Sequence, residues 1–430
     1  MNPVILIPTV CIVALMLMGI PVWIAMFVGV LPYFVELNSL NFAASTAIQR
    51  MVSTMESGSY LAIPFFVTAG AVMNYAGISK RMYDLADALV GHLIGGLAHV
   101  NVLVSVFMGG VSGSAAADAA VDCKMLVPEM EKKGYSKEFS ASITLASSLI
   151  TPIIPPGMGL IVYAMLAEVS VGRLFAAGYL PGILTAVAQM IMVHFICKKH
   201  GYKGSREKMA SFKEIITLLW KGIWALLIPF GLLMLLRNGV LTANEGGAAL
   251  AVYALIIGAF VHKELKVEHL WPILEESITG TATVMMTIAG ATTMSYWLNV
   301  ERIPNMMAAA IASSGIPATG FILLVVVILL VFGMFMTSGI TILAPILVPI
   351  AVALGIDPIH FGMVMVFTLG IGNMSPPFGI VLYRVASLLN LKLERLIKAS
   401  LPFLILMIAL AFLFALAPEL VLFVPNLLYG

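Results

Sequence analysis

Charged residues are scarce in this chain, and their scarcity excludes a water-soluble fold. Of 430 residues, 23 are Lys or Arg and 21 are Asp or Glu, so that 10% of the chain is charged while 61% is hydrophobic. Soluble domains carry about 25% charged residues. The net charge of +2 gives no reason to expect a nucleic acid partner. We therefore expect an integral membrane protein.

Clusters of chemically reactive residues are missing as well. The three cysteines, Cys11, Cys123 and Cys197, stand apart in apolar surroundings and have neither metal-ligand spacing nor the pattern of a disulfide framework. The seven histidines form no His-Glu-x-x-His pattern, and the chain has no Gly-x-x-x-x-Gly-Lys-Ser/Thr phosphate loop. Because no nucleophile–base pair stands out either, we expect neither an enzyme nor an organic cofactor.

Long apolar stretches take up most of the chain between residues 3 and 425. A helix needs about 20 apolar residues to cross the hydrocarbon of a bilayer. Several stretches are too long for one straight helix and contain Gly or Pro. The pattern predicts an all-α protein with about ten to fourteen crossings.

The second half of the chain repeats the first at a distance of 221 positions. Four prolines recur at that distance, Pro128 with Pro349, Pro155 with Pro376, Pro156 with Pro377 and Pro181 with Pro402. A duplicated apolar chain with paired proline-rich interruptions is typical of secondary transporters.

The distribution of basic residues predicts that the two repeats are inverted in the membrane. Segment 198–213 holds six Lys or Arg residues and one acid, so we expect it to be cytoplasmic. The loop after the first repeated Leu-Val-Pro carries several lysines, whereas its partner at 351–360 has no Lys or Arg. Equivalent loops therefore lie on opposite faces of the bilayer, which is an inverted-topology repeat.

Each repeat contains a stretch of small residues followed by a proline-rich stretch. The first repeat reads GGVSGSAAAD at 109–118 and SSLITPIIPPG at 147–157, and the second reads GMFMTSG at 333–339 and GIGNMSPPFG at 370–379. Proline breaks helices, and backbone groups freed within a membrane must line an enclosed, watery cavity. Freed carbonyls suit a cation such as Na⁺, and helix N-termini favour an anion. Alternatively, these residues serve only helix kinking and packing.

Four stretches resemble the large membrane subunit of tripartite ATP-independent periplasmic (TRAP) transporters. They lie at 61–70, 112–118, 152–156 and 355–362, the last followed by the second Pro-Pro-x-Gly. The resemblance implies a Na⁺-driven importer of organic acids in a bacterial inner membrane, with a small membrane subunit and a periplasmic substrate-binding protein as partners. It also implies an elevator-type architecture, in which hairpin tips and broken helices move against a scaffold. The implied tips are Ser112–Ser114 and Thr337–Gly339, and the implied broken helices, or breaks, are Thr151–Gly157 and Gly372–Pro377. Among family substrates, an acidic sugar such as sialic acid is favoured over a C4-dicarboxylate.

Together, the breaks and the resemblance predict one sodium site in each repeat with the substrate between them. The predicted sodium ligands are Ser112, Asp118, Thr151, Pro152, Gly157, Thr337, Gly339, Gly372, Asn373 and Ser375. The predicted substrate-binding residues are Ser112, Gly113, Ser114, Thr337, Ser338 and Arg384. Asp118 could instead cap a half-helix, and Arg384 could extend to the membrane interface.

The predicted organisation alternates scaffold and transport segments. Scaffold helices occupy 1–88, the first transport repeat 89–197, the basic loop 198–214, a second scaffold segment 215–314 and the second transport repeat 315–430. The alternative function is a passive channel or a scaffold subunit of a larger complex. It is less favoured because the polar residues cluster at two duplicated breaks rather than along one helix face.

Overall fold

The computed structural model describes residues 3–37, 45–333, 336–376 and 379–430. Within these ranges the regular structure is helical and contains no strand, which confirms the predicted all-α fold. The α-helices are α1 (Pro3–Leu17), α2 (Val22–Pro32), α3 (Ser45–Glu56), α4 (Ala62–Tyr75), α5 (Ile78–Val90), α6 (Gly96–Gly109), α7 (Ala115–Lys132), α8 (Lys137–Ser148), α9 (Met158–Leu166), α10 (Val171–His200), α11 (Phe212–Arg237), α12 (Ala243–Ile256), α13 (Leu270–Val300), α14 (Ile303–Ser313), α15 (Ala318–Phe332), α16 (Met336–Ala353), α17 (Pro358–Gly372), α18 (Ile380–Leu388), α19 (Leu393–Leu416) and α20 (Pro418–Tyr429).

The helices follow the repeat seen in the sequence. Helix α7 begins at Ala115 and α16 at Met336, 221 positions later, and both contain 18 residues. Helices α8 and α17 begin at Lys137 and Pro358, again 221 positions apart. The duplicated sequence thus specifies duplicated helices, because the caps and breaks that end them are duplicated too. The inverted orientation of the repeats and the scaffold and transport boundaries stay predictions.

Fewer long apolar helices occur than the ten to fourteen crossings expected. In the described ranges, five helices are long and apolar enough to cross a membrane, at Val171–His200, Phe212–Arg237, Ala243–Val261, Met336–Ala353 and Leu393–Leu416. A sixth span results if the pair Gly58–Tyr75 and Ile78–Val90, bent by 68°, is counted as one. Six more apolar helices have only 10 to 17 residues. Gly and Pro explain this difference, because they divide apolar stretches into pieces shorter than a full span.

The two predicted breaks interrupt helices where the prolines fall. Residues 149–157 separate α8 from α9, and residues 373–379 separate α17 from α18. Pro377 and Phe378 of the second break, and Met334 and Phe335 before α16, lie outside the described residues. In the first break, a Cβ placed on Gly157 would strike the Pro152 carbonyl, so there is no room for a side chain. The first broken segment is therefore tightly folded on itself.

Helix α4 packs closely against two other helices, α12 and α13. Helix α4 contacts both α12 and α13 along its length. A Cβ placed on Gly247 of α12 would lie 2.9 Å from Cβ of Phe65 on α4, so glycine allows this close approach. Helices α4 and α13 together form part of the wall of a cavity, to which α4 contributes Asn74 and α13 contributes Glu276.

The basic segment between α10 and α11 is tied to the rest of the protein. The Ser205 amide donates to the Gly91 carbonyl at 2.9 Å. Arg206 forms ion pairs with Asp87 at 2.6 Å and with Glu214 at 2.7 Å. The hydrogen bond to Asp87, followed by that to Glu214, raises the pKa of the Arg206 guanidinium, so this side chain stays charged. The segment is thus an ordered connection between α10 and α11.

Candidate substrate and ion site

The two predicted tips meet at one cavity of about 380 Å³. The first tip contributes Ser112, Gly113 and Ser114 to its lining, and the second contributes Thr337 and Ser338. Asn373 from the second break also lines it. The fold therefore brings together five of the six residues predicted to bind substrate, although they come from opposite halves of the chain.

Two helices point their N-terminal ends at this cavity. Helix α7 starts at Ala115 and its N-cap residue Ser114 accepts a hydrogen bond from the Ala117 amide at 3.4 Å. Helix α16 starts at Met336, which lines the cavity together with Ala115. The N-terminal end of a helix carries a partial positive charge and unpaired amides, and both favour an anion. The tip side of the cavity is accordingly suited to a carboxylate.

The first tip touches the first break, and glycine makes this contact possible. Gly113 has φ +58°, and a Cβ placed there would lie 2.5 Å from the Pro156 carbonyl oxygen. The second repeat has a similar approach, since Gly372 leaves no space for a Cβ beside the backbone of Gly333. In the first repeat a carbonyl of the break thus lies against a glycine of the tip, and in the second repeat a carbonyl at the start of the tip stretch lies against a glycine of the broken helix.

Asp118 lies behind the first tip and ties the first break to two helices. Its Oδ2 accepts hydrogen bonds from Ser105 Oγ of α6 at 2.7 Å and from Thr151 Oγ1 of the break at 2.8 Å. Its Oδ1 has no hydrogen-bond partner among the described residues. The side chain is fully buried and is not part of the cavity lining. The positions 221 residues after Ser105 and Asp118 are Val326 and Gly339, so only the first repeat has this link.

The remaining predicted sodium ligands lie within the breaks and near the second tip. Pro152, Gly157 and Gly372 are buried, and Gly339 lies in the first turn of α16. Ser375 Oγ donates to the Gly372 carbonyl at 3.4 Å. Ser375 is not among the lining residues of the cavity. None of these five residues is among those that line the cavity.

Arg384 is the one predicted substrate-binding residue that does not line the cavity. It lies on α18, is exposed, and is not among the residues that line the cavity. Its interaction with a substrate carboxylate stays a prediction.

Sequence reasoning missed two polar residues of the opposite wall. Asn74 of α4 and Glu276 of α13 both line the cavity, and Asn74 Nδ2 donates to Glu276 Oε1 at 3.1 Å. An acidic residue in an apolar helix is a signal that could have identified Glu276. Asn74 carried no comparable signal, because its position depends on how α4 packs against α13.

Known proteins with the same sequence features identify the family. The sequence model of one protein family, the tripartite ATP-independent periplasmic transporter, DctM component, matches residues 9–420. The chain is 35% identical to the sialic acid TRAP transporter large permease protein SiaM of Vibrio cholerae, with 97% of each protein covered. It is 34% identical to the C4-dicarboxylate TRAP transporter large permease protein DctM of Pseudomonas aeruginosa, with 88% of each covered.

A solved structure supports the fold independently of close sequence similarity. The YdaH transporter of Alcanivorax borkumensis superposes with a TM-score of 0.61 at 15% identity, covering 96% of this chain and 98% of that one. The helical architecture, the duplicated tips and breaks and the whole-length family match agree with one another. The chain therefore belongs to the tripartite ATP-independent periplasmic transporter family, as a large permease component that crosses the bacterial inner membrane several times.

Proposed function

We propose that this permease imports an organic acid together with Na⁺. The observation that carries the proposal is the convergence of two helix N-termini and two hydroxyl-bearing tips on one cavity beside two broken helices. The relatives named for sialic acid and for C4-dicarboxylates both point to organic acids. An acidic sugar is the favoured substrate and a C4-dicarboxylate is the next.

The substrate carboxylate binds at the N-terminal ends of α7 and α16. There, backbone amides and the hydroxyls of Ser112, Ser114, Thr337 and Ser338 donate hydrogen bonds to it. The rest of the substrate extends toward α4 and α13. This orientation places the negative charge where the helix dipoles are favourable.

Sodium ions enter as co-transported substrates, one in each repeat. Oxygen atoms of Ser112, Thr151, Pro152 and Gly157 hold the first, with Asp118 compensating its charge. Oxygen atoms of Thr337, Gly339, Gly372, Asn373 and Ser375 hold the second. Each set joins a tip region to a break, so Na⁺ stabilises the conformation that binds substrate. Coupling follows because an ion shifts an equilibrium only through its different affinity for the two conformations.

Movement of the loaded site across the membrane completes the cycle. The tips and broken helices move as a unit against a scaffold that includes α4, α11 and α13, which is an elevator mechanism. A periplasmic substrate-binding protein delivers the substrate, and a small membrane subunit completes the transporter.

Uptake into proteoliposomes tests this function. The permease is reconstituted with the small subunit, and the binding protein is added outside with a panel of acidic sugars and dicarboxylates. An inward Na⁺ gradient is expected to drive accumulation of at least one acid above its external concentration, and removal of the gradient or of the binding protein to abolish accumulation. Equal flux with and without the gradient would instead indicate a passive channel.

A further inference from the structure

An acidic side chain lines a cavity that we assign to acids. Glu276 is the one charged residue among the described residues that line the cavity. It is exposed, it belongs to α13, and it lines the same cavity as the residues of both tips. A carboxylate in this position opposes the binding of a second negative charge and therefore restricts which acids fit.

Asn74 gives Glu276 a defined orientation. Its Nδ2 donates to Glu276 Oε1 at 3.1 Å, which joins α4 to α13 at the cavity. Asn74 Oδ1 is buried and has no hydrogen-bond partner in the described parts of the chain. We call Asn74 and Glu276 the acceptor wall, because they offer carboxylate and amide oxygens. Such oxygens need donors, which hydroxyl, amide N–H and ammonium groups provide.

The two sides of the cavity therefore differ in what they recognise. The tip side offers helix N-termini for a carboxylate, and the acceptor wall offers oxygens for hydrogen-bond donors. A dianion with a carboxylate at each end would place its second charge against Glu276, and like charges at an interface suppress binding. Arg384 is not among the residues that line the cavity, so the described lining offers a second carboxylate no positively charged side chain.

We propose that Glu276, oriented by Asn74, determines specificity by favouring monocarboxylates that carry hydroxyl groups and by rejecting C4-dicarboxylates. The proposal rests on the function proposed above, because it presupposes that the cavity binds an organic acid. It assigns the discrimination to a scaffold-side residue rather than to the tips.

Binding measurements on the purified permease with its small subunit test this assignment. Gluconate represents a hydroxylated monocarboxylate and succinate a C4-dicarboxylate, and their dissociation constants are obtained from thermal stabilisation in Na⁺ without the binding protein. The wild type is expected to bind gluconate at least about tenfold more tightly than succinate. Glu276→Gln removes the charge but keeps an amide oxygen, so it is expected to tighten succinate binding and reduce that ratio about tenfold.

Glu275→Gln is the matched control, since it makes the same change one residue earlier at a position that does not line the cavity. It is expected to keep the wild-type ratio. The assignment is overturned if Glu276→Gln also keeps that ratio, or if the wild type prefers succinate or binds neither probe. Na⁺-driven uptake with the binding protein, measured in parallel, separates the two proposals. If Na⁺-driven uptake persists but Glu276→Gln keeps the wild-type ratio of the two dissociation constants, only the role of Glu276 is refuted. If uptake does not depend on Na⁺, the proposed transport function is refuted.

Discussion

Single glycines decide how closely the tips approach the breaks. Gly113 combines a left-handed backbone with a neighbouring carbonyl that a methyl group would strike. Asp118 works differently, since it holds Thr151 of the break against α6 through a shared carboxylate oxygen. Gly113 has no side chain and has no ion-binding role in the proposed mechanism, so its substitution reports on the geometry of the tip.

Gly113→Ala is expected to reduce transport far more than it reduces stability. A left-handed alanine costs about 1–2 kcal/mol, and here the methyl group would also strike the Pro156 carbonyl oxygen. We expect uptake to fall at least about tenfold, which corresponds to a further 1.4 kcal/mol in the contact between tip and break. Na⁺-driven uptake per molecule and the unfolding temperature in detergent measure the two effects.

Gly134→Ala is the control for backbone strain. Gly134 has φ +86° but nothing within 4 Å of an added Cβ, so this variant has the left-handed cost without the collision. It is expected to lose similar stability and to retain near-normal uptake. If both variants transported equally well, close approach of the first tip to the break would be irrelevant to transport.

Backbone hydrogen bonds hold the second broken helix at Asn373. In the second break, the backbone N–H of Asn373 donates to the Gly370 carbonyl at 3.0 Å, and the backbone carbonyl of Asn373 accepts from the backbone N–H of Leu382 at 3.1 Å. The Asn373 side chain is therefore dispensable for the local fold and available to the cavity. Removal of side-chain oxygens here tests ion binding with little disturbance of the helix break.

Asn373→Ala and Ser375→Ala are each expected to raise the Na⁺ concentration needed for half-maximal uptake. The physical reason is the loss of one oxygen from the proposed second sodium site, and the expected increase is about three- to tenfold, equivalent to roughly 1 kcal/mol. Uptake as a function of external Na⁺ measures it. Ser387→Ala, an exposed residue of α18, is the control and should leave the Na⁺ dependence unchanged. Unaltered Na⁺ dependence in both Asn373→Ala and Ser375→Ala would contradict the proposed second site.

The sequence predicted the breaks because proline acts locally, whereas the predicted second tip, Thr337–Gly339, lies in the first turn of α16. Pro152, Pro155 and Pro156 end α8 wherever the segment lies, so their effect needs no tertiary information. The position of Glu276 opposite the tips could not be predicted in this way, since it depends on the packing of α13 against α4. Arg384 shows the same limit, because an arginine near a break can lie inside the cavity or outside it depending on the rotation of a helix.

At the scale of the whole molecule, contacts with Pro229 of α11 join the predicted first transport repeat to the second scaffold segment. Tyr179 Oη of α10 donates to the Pro229 carbonyl of α11 at 2.7 Å. Pro229 also lies against Gly110, where an added Cβ would be 3.0 Å from Pro229 Cβ. If the transport unit slides against the scaffold, these contacts must separate during each cycle.

Cross-linking at this contact is expected to stop transport. A disulfide needs Cβ atoms about 3.5–4.5 Å apart, a separation that small backbone adjustments at Gly110 and Pro229 provide. In a background with the three native cysteines replaced, oxidation of the Gly110→Cys/Pro229→Cys variant should lower uptake at least about tenfold, and reduction should restore it. The rate of substrate uptake before and after reduction is the measurement.

A second pair distinguishes a locked elevator from a protein damaged by oxidation. Phe65 and Gly247 lie on α4 and α12, both in predicted scaffold segments, and an added Cβ on Gly247 would be 2.9 Å from Phe65 Cβ. The Phe65→Cys/Gly247→Cys variant should therefore form its disulfide and still transport, because no movement separates these helices. Loss of uptake in this pair as well would assign the effect to oxidation. Full uptake by the cross-linked Gly110→Cys/Pro229→Cys protein would mean that α6 and α11 stay together throughout the cycle, which an elevator that moves the tips past α11 does not allow.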